Sequence, residues 1–180
     1  YGGDGFVEYY NSSLLMGNNV KPHIVHKSKL VLGAEKVPFS NWFPFLEELS
    51  LDFGGTSGTL GVEAQPTIFK NGGFSFTPSI CYESIYGEYT SQQTKLGAKA
   101  IFIITNDGWW GDTPGYKQHF SFARLSAIEN RKSVARSANT GTSGFINQRG
   151  DVVQASSWWT ETALRNTVFL NDRKTMYMTL

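Results

Sequence analysis

The chain has 180 residues, 40% of them hydrophobic and 14% aromatic, with sixteen basic against fifteen acidic side chains for a net charge of +1. That length suits one ordinary domain with a real core, and the balanced charge argues against a nucleic-acid binder, which needs a basic stripe to offset phosphates. A single cysteine, Cys81, excludes an internal disulfide and a multi-cysteine zinc site.

No stretch of 18 apolar residues occurs, so the chain as given does not span a bilayer. Its first residues lack the basic start and apolar run of a signal peptide. No internal repeat and no linker divides it, so the expectation is a single domain over 1–180.

In chain order, "FVEYYNSSLLM" (6–16) and "HIVHKSKLVL" (23–32) read as two strands joined across the Gly17-Asn18-Asn19 turn. Residues 33–66 hold prolines, aromatics and the glycine cluster "FGGTSGTLG", which suits a long surface loop with a short helix near 43–50. "TIFKN" and "GFSFTPSICYE" form a hairpin whose second strand delivers Cys81 at its end. Residues 84–96 read as a helix closed by Gly97.

"AKAIFIITND" (98–107) is a continuous apolar run, as in a strand covered on both faces. A second helix over 116–132 places Phe120, Ala123, Ala127 and Ile128 near one face. "SVARSAN", "TSGFIN", "DVVQAS" and "ALRNTVFLN" (163–171) give four more strands, with Arg149-Gly150-Asp151 as a hairpin turn. The order predicts an α/β fold, a mixed sheet with helices packed against it.

Cys81 lies where a strand hands over to a helix, with Glu83 two residues on. Free Cys is often a buried filler. At such a junction, however, free backbone N–H groups favour a thiolate and can hold an oxyanion. Lys27, in "VHKSKLV", shares an alternating face with Val25 and Lys29, so it reads either as an inward-pointing or as a solvated lysine; Glu35, eight residues later, is a loop carboxylate unless Lys27 pairs with it. His23, His26 and His119 show no metal-ligand spacing, and His119 stands alone. "NDGWWGDTPG" (106–115) matches no phosphate-binding pattern. Its Trp109 and Trp110 read as packing residues or as a lipid-contacting pair. "NTGTSG" (139–144) reads first as turns.

Together these segments resemble the carbon–nitrogen hydrolase (nitrilase) superfamily, and within it the N-acyltransferase branch that completes bacterial lipoproteins. Cys81-Tyr82-Glu83 is similar to the superfamily's nucleophile context; "HKSKLV" resembles its lysine segment, with Lys27 at the catalytic position; and "GAEKVP" supplies Glu35 at the spacing of a second glutamate. The stretch from Thr105 to Val153 is similar to the acyltransferase branch, where soluble amidases differ after the cysteine. The resemblance implies an α-β-β-α sandwich, mixed sheets with helices outside. The superfamily's general-base glutamate precedes the lysine in a Pro-Glu context; here only Asp4 and Glu8 are in range and neither matches. The chain is accordingly expected to be a fragment whose N-terminal part is missing, inactive or incompletely folded alone, with an unprotected sheet edge or face.

What the resemblance implies for chemistry is acyl transfer through a cysteine thioester. Cys81 is the nucleophile, Lys27 stabilises the oxyanion, Glu35 orients Lys27, and Tyr82 and Glu83 shape the pocket. Trp42, Trp109 and Trp110 would face lipid or substrate. The implied donor is a membrane phospholipid and the implied acceptor the N-terminal diacylglyceryl-cysteine of an apolipoprotein. The implied place is the periplasmic side of a bacterial inner membrane, with no metal or organic cofactor and no nucleic acid. Two alternatives stay open: a soluble amidase or nitrilase in which water attacks the thioester, and an inactive module of the same fold used for binding.

Overall fold

The computed structural model describes residues 8–17, 20–32, 34–36 and 60–179. They fall into two compact units, Tyr1–Gln65 and Pro66–Leu180. Trp42 and the helix expected near 43–50 lie outside the described residues.

In the first unit, β1 (Ser12–Gly17) and β2 (Val20–His26) pair antiparallel, with Ser13 opposite Val25 and a register shift near the turn. Both strands are shorter than the sequence suggests. Leu14, Met16 and Ile24 stay exposed while Ser13 and Val25 are buried, so one hairpin face is covered and the other open. Beyond β2 the backbone leaves the ladder: Lys27 N–H donates to Asn11 O and Glu63 N–H donates to Lys27 O, at 2.7 and 3.1 Å.

The second unit is built on a six-stranded sheet in the order β3-β4-β5-β6-β7-β8. The strands are β3 (Phe69–Asn71), β4 (Phe74–Ile80), β5 (Ala100–Thr105), β6 (Val134–Ala138), β7 (Gly144–Ile146) and β8 (Val152–Ala155). β4, β5 and β6 run parallel, and the others extend the sheet antiparallel at its two sides. Parallel neighbours need crossovers. Helix α1 (Gly87–Lys95) joins β4 to β5, and α2 (Pro114–Asn130) joins β5 to β6. A short α3 (Met176–Thr179) follows.

The start of α2 is encoded locally. Thr113 caps it by accepting from Gly115 N–H, and Pro114 occupies the first turn, where its missing donor costs nothing. Phe120, Ala123 and Ala127 of α2 pack on Ile101, Ile103, Val134 and Ile146, which form the core of this unit. Ile128, expected on the same face, is 42% exposed. The buried stripe instead runs through Tyr116, His119, Ala123, Ser126, Ala127 and Asn130 at helical spacing, and is more polar than a hydrophobic reading expects. On the opposite sheet face, the Phe74, Phe76 and Phe102 rings cluster in tilted contacts with centroids 4.4–5.7 Å apart, and Ile104 is 44% exposed.

Two sequence expectations are corrected here. The helix over 84–96 is two elements: a 3-10 turn, Cys81–Ile85, and then α1 from Gly87. Tyr86 between them has ψ near 90°, and Gly87 lies so close to Tyr177 and Glu129 that a side chain would meet them at 2.6–2.7 Å. The expected strand at 163–171 is not one. Phe169 and Leu170 are exposed, and the segment is tied to loops by isolated contacts, such as Gln148 Nε2 donating to Phe169 O and Asn171 N–H donating to Lys99 O. Its apolar residues have no covered face to fill.

Candidate active site

β4 is buried along most of its length and ends at Ile80. Cys81 follows with φ of 52°, in the left-handed region that non-glycine residues rarely occupy. Its thiol is free and half-buried. The turn that holds it is closed by its own side chains. The Glu83 carboxylate accepts from Ile80 N–H at 2.8 Å, and the Ser84 hydroxyl donates to the Cys81 carbonyl at 2.8 Å. Glu83 is almost wholly buried. It therefore serves as the cap of this turn, whereas the Tyr82 ring lies edge-on to Tyr86 at 5.9 Å and 6.5 Å from the His119 ring.

Behind Cys81 lies a polar network that the sequence reading did not find. Ser84 Oγ is 3.2 Å from His119 Nε2, and His119 Nδ1 is 2.9 Å from Asp107 Oδ1. Thr105 donates its hydroxyl to the same Asp107 oxygen at 3.0 Å, and Arg136 Nη2 donates to the other at 2.5 Å. Arg136 also lies over the Phe120 ring, 5.7 Å from its centroid. Asp107 is fully buried, and His119 and Arg136 nearly so. Burial by itself would raise the Asp107 pKa, but the His119 hydrogen bond and the Arg136 charge outweigh it and hold the carboxyl below its ordinary value. Burial pulls the Arg136 guanidinium below its usual range, opposed by Asp107 and by the nearby Cys81. Gly141, in the segment read only as turns, lets its backbone approach Asp107; a Cβ there would meet Oδ2 at 2.5 Å.

A signal for this cluster was present in the sequence. Cys81 follows β4 and Asp107 follows β5, and a parallel pair puts both at the same sheet edge, the carboxyl end where α/β sheets collect their functional groups. His119 and Arg136 carry no such local mark.

In the first unit, Lys27 is completely buried and its ammonium donates to both oxygens of Glu35, at 2.9 and 2.7 Å. Glu35 also accepts from Asn11 Nδ2 at 2.8 Å and Val31 N–H at 2.9 Å. Lys29, placed on the same strand face by simple alternation, is exposed because the strand ends at His26. Trp109 and Trp110 lie in a 3-10 turn, Gly108–Trp110. Trp110 is 39% exposed and covers Gly115. Among the described residues, no three His, Cys, Asp or Glu gather as a metal site, and no helix is long and apolar enough to cross a membrane.

A half-buried cysteine in a left-handed turn at a strand end, on a mixed sheet with helices packed against it, defines an α/β fold that presents a thiol at the carboxyl end of its parallel strands. The carbon–nitrogen hydrolase sequence model matches residues 3–176, and the chain belongs to that family, with a nitrilase-like α/β fold. Its relatives include the apolipoprotein N-acyltransferase of Chlorobaculum tepidum, 38% identical over 173 residues, which are 93% of this chain and 32% of that protein. That of Haemophilus ducreyi is 36% identical over 155 residues, 82% of this chain and 30% of that protein. The chain thus spans about a third of the length of these curated relatives.

Among solved structures, a carbon–nitrogen hydrolase from Helicobacter pylori superposes with a TM-score of 0.62 at 11% identity, over 83% of this chain and 53% of the other. Nit3 of Saccharomyces cerevisiae, a nitrilase-superfamily member, gives 0.57 at 19% identity, over 84% and 51%. At such identities the likeness is one of fold.

Proposed function

We propose that this chain is the catalytic part of an N-acyltransferase of the carbon–nitrogen hydrolase family. It moves a fatty acyl group from a phospholipid, through a thioester on Cys81, to the N-terminal diacylglyceryl-cysteine of apolipoproteins. The observation that carries the reading is Cys81 itself, half-exposed and left-handed at the end of β4. The similarity to apolipoprotein N-acyltransferases over most of the chain supports the choice of reaction.

In this mechanism the Cys81 thiolate attacks the ester carbonyl of the phospholipid. The carbon–oxygen bond breaks, the leaving alcohol takes a proton, and lysophospholipid departs. The amino group of the lipoprotein cysteine then attacks the thioester, forming an amide and returning the thiol. Lys27 supplies positive charge to the tetrahedral oxyanion, and Glu35 holds the direction of its ammonium. Tyr82 lines the acyl pocket, while Glu83 keeps the Cys81 turn closed. Trp42, Trp109 and Trp110 meet the lipid at the membrane surface, on the periplasmic side. Both units belong to one catalytic domain of a larger membrane protein.

The full-length protein incubated with acyl-labelled phospholipid should carry a hydroxylamine-labile acyl group on the Cys81 peptide, lost in Cys81→Ala. An adduct retained in that variant rejects the nucleophile assignment. Label released to water in the presence of an amine acceptor supports the amidase alternative, and no adduct in the parent supports the inactive module.

A further inference from the structure

Cys81 occupies a backbone conformation that an L-residue adopts only when its surroundings hold it there. Its own carbonyl is one tie point, through the Ser84 hydroxyl. Ser84 is not an isolated prop, because its oxygen also meets His119 Nε2. The orientation of the His119 ring is fixed from its far side. Asp107, ionised, can only accept, so Nδ1 carries the proton between them. Asp107 is in turn held by Thr105 and by Arg136, which comes from β6.

We propose that His119 is a positioning residue for the nucleophile: anchored by Asp107 and Arg136, it acts through Ser84 to hold the Cys81 carbonyl and keep the thiol aimed out of the sheet edge. This rests on the reading of Cys81 as the nucleophile.

The link is specific because one oxygen makes both contacts: Ser84 Oγ lies 2.8 Å from the Cys81 carbonyl and 3.2 Å from His119 Nε2, so the place of the imidazole sets the place of the hydroxyl. The network also brings a fixed cation to the site. Arg136 Nη1 is buried without a hydrogen-bond partner among the described residues. A merely structural network joining β5, α2 and β6 would need neither Ser84 nor the tie to Cys81.

The test is the rate at which iodoacetamide labels the Cys81 peptide, followed by mass spectrometry in the full-length protein. Ser84→Ala and His119→Gln should each slow labelling about tenfold, and the double variant should be no slower than either, since both cut one path. Ser84→Thr, which restores the hydroxyl, should recover most of the parent rate. Thr94→Val, which breaks the buried hydrogen bond from Thr94 to Asn130 between the two main helices, should leave the rate unchanged.

Unchanged labelling in Ser84→Ala and His119→Gln overturns the proposal, as does additive slowing in the double variant. If His119→Gln loses its circular dichroism, the Ser84→Ala and Ser84→Thr pair decides alone. Failure of the nucleophile reading looks different: the variants still slow labelling, but the parent forms no acyl adduct from phospholipid.

Discussion

A lysine with no exposed surface is expensive unless its charge is answered, and Glu35 answers it with both carboxylate oxygens. The same carboxylate bonds Asn11 and Val31 N–H, so it ties three parts of the first unit at one point. Glu35→Gln keeps much of the shape and removes the charge, which leaves the Lys27 ammonium buried and unanswered. The expected loss is about 3 kcal/mol, in the range found when one partner of a buried pair is removed. It is measurable as faster hydrogen exchange of the β1 and β2 amides. Replacing both residues, Lys27→Met with Glu35→Leu, should recover most of that protection, because no lone charge then remains. The eight-residue spacing of the pair is visible in the sequence, but its burial is not. Alternation put Lys27 and Lys29 on one face, whereas the chain leaves the ladder after His26 and only Lys27 turns inward.

Helix α2 shows what its small residues are for. Ala123 and Ala127 have no exposed surface and bring the helix close onto β5, β6 and β7. Ala127→Leu forces extra volume into that contact and should cost about 1–3 kcal/mol in urea unfolding. Leu125, 46% exposed on the outer side, should tolerate Ser within about 0.5 kcal/mol. An equal effect of the two substitutions would mean that the helix is not seated through its alanines.

The existence of α2 and the Phe120–Ala123–Ala127 part of its stripe were legible in the sequence, whereas its start at Pro114 behind the Thr113 cap and the exposure of Ile128 were not. Its polar buried positions were not, because His119, Ser126 and Asn130 look like solvent-facing residues until their partners are known. The 3-10 turn at Cys81 was missed for a related reason. Glu83 accepting from Ile80 N–H is a local bond, but it tightens the chain where propensity alone reads on into a helix.

At the scale of the second unit, β5 has parallel neighbours on both sides and β8 lies at an edge with Val152 and Val153 exposed. Amide exchange should therefore be slowest in β5 and β6 and fastest among the strands in β8. Equal rates across the sheet would contradict this ordering of local stability. The mixed α/β class and most of the strands follow from period and turn chemistry, and the family follows from motifs around Lys27, Glu35 and Cys81.

The sequence by itself determined that a cysteine stands at the end of a buried strand, because an apolar run and the residues after it are local properties of the chain. Only the tertiary structure decided what stands behind that cysteine. Ser84, Asp107, His119 and Arg136 come from a 3-10 turn, a strand end, a helix and another strand. Each is a polar residue that pays its desolvation cost only when the others arrive, so no one of them announces its place alone.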